Sequence, residues 1–388
     1  MQTASVPLQV RKGSEMDKSK RNREIDVLKG LTIIGVPLAH SGCPFADFFF
    51  LYTMSVFFGV SGYFFKDKYS NSIKAVLRFA LKKIRRLWFP YFFWNTVFTL
   101  LNNEFIRLNI YTDNADIFNY VSGPYIGLHH YMDTVDILEN IIKGIVFSGE
   151  TQLGGALWFV RLLFTVSIVY CFTDWLLKKI SAEHRLKMQL AVSAVLLAAG
   201  YYCSLTGWNY WGLGQSASMY WLYFSGNVLG ENKDKIARLQ NKHYIVIFIV
   251  SFSALLVLNK CGKVNLAFNY YVDPAYFLAV SFAGWGFLYS LSVFISETKL
   301  SGMMQYIGKN TLSVVILHFL AFKTVAYIVV KIYDLPPFCI AAFLNLYGER
   351  GLWWIAYTFV GIAVPIGLNA VYKKALSWAS SFFAKKEC

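Results

Sequence analysis

Charge is scarce in this chain of 388 residues: Asp, Glu, Lys and Arg make up 15% of it, against 56% hydrophobic and 18% aromatic residues. An ordinary soluble domain carries about a quarter charged residues, so neither a soluble globule nor a disordered chain fits. Ten-residue segments of alternating polarity are missing as well, which excludes an outer-membrane barrel. The six cysteines, Cys43, Cys171, Cys203, Cys261, Cys339 and Cys388, form no C-x-x-C, and the histidines show no H-x-x-x-H or H-E-x-x-H spacing, so no metal and no bound cofactor is expected. Cys43, Cys203, Cys261 and Cys339 map near the outer face, where a disulfide is open, although scattered cysteines serve more simply as small packing residues. His129, His130, His184 and His243 fall in loops or at helix ends, where surface positions are expected. No small-residue cleavage site follows the first apolar run, so that run is expected to stay. Internal repeats and paired broken helices, the marks of many secondary transporters, are not evident. A basic and aromatic nucleic-acid-binding module is equally missing outside the apolar runs.

What is present is a series of apolar runs. A hydrocarbon core of about 30 Å needs about 20 apolar residues per helix. Ten runs of that kind lie at roughly 25–43, 46–65, 87–108, 156–177, 187–206, 213–230, 243–258, 275–296, 310–333 and 351–372. The expected fold is an all-α membrane bundle of about ten helices. Of the 37 Lys and Arg, 28 fall in the N-terminal tail, in alternate loops (66–86, 178–187, 231–242, 297–309) and in the C-terminal tail. Basic loops stay in the cytoplasm, so both termini are expected there, and the net charge of +15 reads mainly as topology and attraction to anionic lipid. The expected organisation is a basic tail over 1–24, a transmembrane domain over 25–373 and a second tail over 374–388. The longest stretch between runs, 109–155, is acidic and expected outside.

The first run, "DVLKGLTIIGVPLAHSG" (26–42), contains a lysine and a histidine. Lys29 and His40 are eleven residues apart, which is about 20° from three full helical turns and about 16 Å of rise, so they share one face. A charged side chain at membrane depth costs about 2.5 to 3.5 kcal/mol on insertion scales and normally faces protein or a wet cavity. Pro37 removes the hydrogen bond to the carbonyl of Ile33 and favours a kink beside His40. The plainer alternative is Lys29 paired with Asp26 or Glu24, and His40 hydrogen-bonded to a neighbouring helix.

Five segments then line up. "REIDVLKGLTIIGVPLAH" resembles the first helix of the acyltransferase-3 family of membrane O-acyltransferases, whose mark is Arg or Lys, ten residues, then His. "FFGVSGYFF" (57–65), "KKIRRLWFPYFFW" (82–94), "GALWFVRLLF" (155–164) and "IGKNTLSVVILHFL" (307–320) are similar to later segments of that family, in the same order. Together they span residues 23–320, and the likeness is greatest to stand-alone, fucose 4-O-acetylase-like members. The resemblance implies transfer of an acyl group, usually acetyl, from cytoplasmic acyl-CoA to a hydroxyl of a carbohydrate or glycan precursor at the cell membrane. It implies His40 as general base, with Lys29, Lys82, Lys83, Arg85 and Arg86 holding the phosphates of CoA and Ser61 lining the mouth beside a glycine that allows close approach. The basic cluster over 82–86 also serves as a positive-inside signal. His318 and Arg161 are candidates to orient His40, hold the thioester oxygen or bind an anionic acceptor; buried hydrogen bonds are the plainer reading of both.

"WNYWGLGQSASMYW" (208–221) carries five aromatic rings and offers an acceptor surface through Trp208 and Trp211, although a membrane-interface belt is the commoner cause of such a cluster. The alternative from another class is a transporter or flippase of a lipid-linked saccharide, with Lys29, Arg161, His318 and Lys323 along its path. A different membrane acyltransferase with its own histidine is the second alternative.

Overall fold

The computed structural model describes residues 8–121, 127–236 and 238–384. Cys388 lies outside the described residues, as do the side chains of the first 22. The chain folds as helices, joined by one two-stranded ribbon in which Val264 and Asn265 pair antiparallel with Tyr271 and Tyr270. The helices in chain order begin with α1 (Leu8–His40), α2 (Ala46–Phe50), α3 (Thr53–Tyr63), α4 (Ile73–Lys83), α5 (Phe89–Leu100), α6 (Asn102–Arg107) and α7 (Thr134–Ile145). They continue with α8 (Leu157–Ile180), α9 (Arg185–Thr206), α10 (Leu213–Glu231), α11 (Lys233–Ile236), α12 (Asn241–Cys261), α13 (Pro274–Ser296), α14 (Ser301–Lys309), α15 (Thr311–Ile332) and α16 (Trp353–Ala384).

Among the described residues six helices are long and apolar enough to cross a membrane: α8, α9, α12, α13, α15 and the Trp353–Ala375 part of α16. Their burial sorts them into layers, with 72% of the apolar window of α15 buried but only 11% of that of α12. Val246, Ile249, Val250 and Val257 of α12 are exposed, so α12 is a peripheral helix with an apolar outer surface. α15 is the most buried of the six.

Several expected elements differ in form. The expected run over 46–65 is broken into α2 and α3 at Leu51 and Tyr52, where Thr53 Oγ1 turns back to donate to the carbonyl of Phe49. The run over 87–108 divides into α5 and α6. Two of the expected runs are thus interrupted. The expected loop over 66–86 is mostly helical, because Ser72 caps α4, its Oγ accepting from the Ala75 amide at 3.2 Å. Pro90 has no N–H for the carbonyl of Arg86, and the backbone widens into a π turn over Ile84–Trp88 that joins α4 to α5. The chain from 73 to 100 thus runs beside α8, with Lys83 Nζ donating to Ser167 Oγ at 3.0 Å. At the other end, α1 starts at Leu8 within the expected tail, and it continues unbroken through Pro37.

Close helix packing rests on glycine. Without a hydrophobic drive between helices in lipid, van der Waals contact between backbones has to supply the attraction. Any Cβ on Gly62 would collide with the carbonyl of Tyr223, and one on Gly226 with the carbonyl of Gly59, so α3 and α10 touch backbone to backbone. The same holds where Gly30 of α1 meets Met304 and Gly308 of α14 meets Asp26.

At the basic end of the bundle a buried carboxylate joins four segments. Asp174 of α8 accepts from Ser70 Oγ at 2.6 Å and Arg185 Nη1 at 2.7 Å, with Lys178 Nζ at 3.3 Å and Gln189 Nε2 at 3.4 Å. Arg185 carries the link on to Glu231 of α10 at 2.7 Å. Removing one partner of such a cluster leaves uncompensated charge and typically costs about 3 to 5 kcal/mol. Asp174→Ala should accordingly lower the melting temperature of the detergent-purified protein sharply, whereas Asp67→Ala, at the exposed rim, should change it little. Equal melting of wild type and Asp174→Ala would show that the cluster does not hold these segments together.

Candidate active site

His40 is the last residue of α1 and lines an apolar cavity of about 50 Å³. Gly35, Val36 and Ala39 of α1, Phe49, Phe50, Thr53 and Met54 of the broken second element, and Trp158 and Phe159 of α8 form its walls. The turn over Asn265–Ala267 closes it. The break between α2 and α3 brings Phe50 to 5.6 Å from the His40 ring.

His318, fully buried on α15, faces His40 across the helices, with His40 Nδ1 and His318 Nε2 3.0 Å apart. The network assigns the protons. His318 Nδ1 lies 2.8 Å from the carbonyl of Val314 and 3.1 Å from that of Val315. Carbonyls only accept, so Nδ1 carries the hydrogen and Nε2 is a bare lone pair. His40 Nδ1 must then donate to it. What remains on His40 is an unprotonated Nε2, the form a general base needs.

The end of α1 is held by a strap over 337–348. Asn345 Nδ2 donates to the carbonyl of His40 at 2.9 Å. Lys323, buried on α15 five residues past His318, donates to the carbonyls of Ile340, Ala341 and Ala342 at 3.2, 2.9 and 2.9 Å. All three of its protons are occupied in holding that strap. Phe343 of the strap packs on Phe319 at 4.6 Å, and Phe319 on His40 at 4.9 Å.

Toward the basic end, Lys29 is ion-paired with Asp26 at 2.5 Å, with about a quarter of its side chain exposed. His40 and Trp158 line one cavity, and from that common level Lys29 lies eleven residues down α1, about 16 Å. Ser167, the partner of Lys83, lies nine residues down α8 from Trp158, about 14 Å. Lys29 and the 82–86 cluster therefore stand at similar depth, well in from the basic end of α8 at Lys178 and Lys179. Arg85 and Arg86 are exposed on the π turn, and Lys82 lies over the ring of Tyr69 at 5.7 Å. The glycine beside Ser61 does not serve a ligand: its open side is taken by the backbone of α10, and Ser61 itself is half-buried.

Arg161 is not placed beside His40. Its Nε pairs with Glu150 at 2.8 Å and its Nη1 donates to the carbonyl of Phe147 at 3.2 Å, so its charge is already matched. Of the five rings over 208–221, Trp208, Tyr210 and Trp211 are exposed, whereas Tyr220 is buried and donates to Gln189 Oε1 at 2.8 Å. Gly212, next to Trp211, packs against Leu162 and Arg161.

His130, His184 and His243 are exposed, whereas His129 is half-buried. Its ring stacks on buried Tyr111 at 3.8 Å with 3° between the planes, and its Nδ1 lies 3.3 Å from Asn102 Oδ1. Burial pushes its pKa down to about 4, so it is neutral near pH 7. Together with Asn95, Thr99, Asn140, Glu150, Thr151 and Gln152 it lines a second, polar cavity of about 210 Å³. This cavity and the Asn345 strap escape sequence reading, because their residues lie in irregular segments with no periodic pattern. Cys43, Cys171, Cys203, Cys261 and Cys339 are all free, and no cluster of three or more His, Cys, Asp or Glu converges among the described residues.

Comparison with protein families matches an acyltransferase domain over residues 22–382. No curated protein and no solved structure matches the chain. The matched region contains both histidines, both cavities and all six long apolar helices, and the chain belongs to the acyltransferase-3 family, as a multi-pass membrane acyltransferase.

Proposed function

We propose that this protein moves an acetyl group from cytoplasmic acetyl-CoA to a hydroxyl of a carbohydrate or cell-surface glycan precursor, with His40 as the base. The observation that carries this reading is the proton order of the His40–His318 pair, which leaves a bare imidazole nitrogen on a residue lining a cavity. In the reaction His40 Nε2 takes the proton of the acceptor hydroxyl as its oxygen attacks the thioester carbonyl. The C–S bond breaks, the C–O ester bond forms, and the proton passes to the leaving CoA sulfur. His318 does not react; it accepts from His40 Nδ1 and so holds the tautomer and stabilises the imidazolium formed in the step.

The donor is bound from the basic side. Lys29, Lys82, Lys83, Arg85 and Arg86 meet the 3'-phosphate and pyrophosphate, and Ser61 borders the same mouth. About 16 Å of pantetheine then reaches from that level to His40. Asp26 holds only one of the Lys29 ammonium protons, and two remain for a phosphate. The apolar lining around His40 keeps water from the thioester. The proposal places both termini in the cytoplasm with ten helical passes in the cell membrane, and it needs no bound cofactor. A saccharide transporter is disfavoured by Lys323 and Arg161, whose charges are spent on carbonyls and on Glu150 and do not line a path.

Acetyl-CoA binding and thioester turnover by the purified protein test this. Lys29→Ala should weaken acetyl-CoA binding about tenfold, and His40→Ala should keep binding while turnover falls about 10² to 10⁴-fold. His318→Phe keeps a ring in place but removes the acceptor for His40 Nδ1. It should lower kcat at least about 10²-fold, with little change in KM for acetyl-CoA. Absence of specific acetyl-CoA binding by wild type would sink the acyltransferase mechanism, and a His318→Phe variant with unchanged kcat would sink the role given to the pair.

A further inference from the structure

We propose that the polar cavity around His129 and Tyr111 is the acceptor-binding site and that it takes a neutral pyranose ring. This deepens the function proposed above and rests on it.

Three observations lead there. The first is the contrast between the two cavities. The one at His40 is walled by Phe, Trp, Val, Ala and Met, which suits an acyl thioester, whereas the other is walled by four side-chain amides, two threonines, a tyrosine and a histidine. Each sugar hydroxyl both donates and accepts; Asn95 and Asn102 are engaged with Tyr91, Thr151, His129 and His130 and fix the wall, whereas Asn140 keeps an acceptor for a ligand. Its volume of about 210 Å³ is roomy enough for one sugar ring, and its mouth is open.

The second is the balance of charge. Both ionised groups in the lining are already matched: Glu150 with Arg161 at 2.8 Å, and Lys143 with Glu139 at 2.6 Å. His129 is neutral near pH 7. An anionic or cationic acceptor would find no free counter-charge here, which selects for a neutral one.

The third is unspent hydrogen bonding aimed at the space. Tyr111 is 1% exposed, and its hydroxyl oxygen accepts from the Leu153 amide at 3.4 Å while its proton has no acceptor among the described residues. Asn140 donates through Nδ2 to the carbonyl of Asp136 at 2.8 Å, and its Oδ1 likewise has no donor among the described residues. A hydroxylated ring supplies both partners.

One segment connects the two cavities. Gly149, Glu150, Thr151 and Gln152 line the polar one and Ala156 lines the one at His40, so the segment over 149–156 runs from one to the other. Phe319, which packs on His40, closes the gap beside Gly155. A ring seated in the polar cavity would thus present its hydroxyl across this segment to His40.

Saturation-transfer NMR on the full-length protein in detergent tests this without any turnover. The neutral probes are the methyl pyranosides of glucose, galactose and mannose, and the charged ones are glucuronate and glucosamine. Acetyl-CoA binding is measured in parallel by calorimetry. Wild type should transfer saturation to at least one neutral probe, and His40→Ala should do the same. Tyr111→Phe combined with Asn140→Ala should weaken that probe about 5- to 30-fold, while elution on size exclusion and acetyl-CoA affinity stay as in wild type. Thr99→Val, in a helix facing the same space, provides an independent second variant and should weaken it about threefold. The proposal is overturned if no neutral probe binds, if only charged probes bind, or if the variants bind as wild type does. Failure here with intact acetyl-CoA binding removes the acceptor site alone; loss of both removes the acyltransferase mechanism as well.

Discussion

The hydrogen bond between His40 and His318 is the constraint around which the centre of this molecule is arranged. A ring N–H in an apolar bundle needs an acceptor from the protein, since an unpaired polar group there costs several kcal/mol. The carbonyls of Val314 and Val315 set the proton on one nitrogen of His318, and each later assignment follows from that. Because one partner sits on the deeply buried α15 and the other is the last residue of α1, the pair also ties the end of α1 to α15. The helix end needs its own support: α1 stops at His40, its last carbonyls have no helical partners, and Asn345 supplies one.

That support explains Lys323, which by composition alone is an anomaly. A buried ammonium is tolerated when each of its protons meets an acceptor, and here three successive carbonyls at the end of a 3₁₀ turn meet all three. The cation lies where that turn gathers negative dipole, and it fixes the strap from which Asn345 reaches His40. Lys323 and His318 therefore act on the same residue from the same helix, one through the ring and one through the backbone.

How far the sequence reveals this depends on the kind of signal. Long apolar runs record helices well, because lipid allows no other solution for the backbone, and helices do lie at each expected run. Helix ends and breaks were less legible. The π turn at Ile84–Trp88 follows from Pro90, yet it extends the third element back to Ile73, into a segment rich in lysine and arginine that reads as a loop. Lys29 and His40 stood out through spacing, and His318 through its motif, but that His318 is the residue touching His40 is a tertiary fact. Arg161 seemed equally eligible. Only the fold shows that Glu150, eleven residues earlier and across a turn, already neutralises it.

The proposed function gives the separation of an apolar cavity from a polar one a chemical reason. A thioester near a base is open to hydrolysis, and the base cannot tell the proton of water from that of an alcohol. Selectivity must come from keeping water away from His40 while holding the alcohol close by. A polar pocket for the acceptor, placed apart from the dry one and joined to it along a single segment, meets both demands. On that proposal the polar lining would satisfy the acceptor's other hydroxyls, so only one hydroxyl need enter apolar surroundings. Its desolvation is then offset where its proton meets His40 Nε2. On this view the glycines at 154 and 155 matter because the segment between the cavities has to be thin, and the rings of Phe319 and Phe343 matter because both stand beside Gly155, with Phe319 also packed on His40.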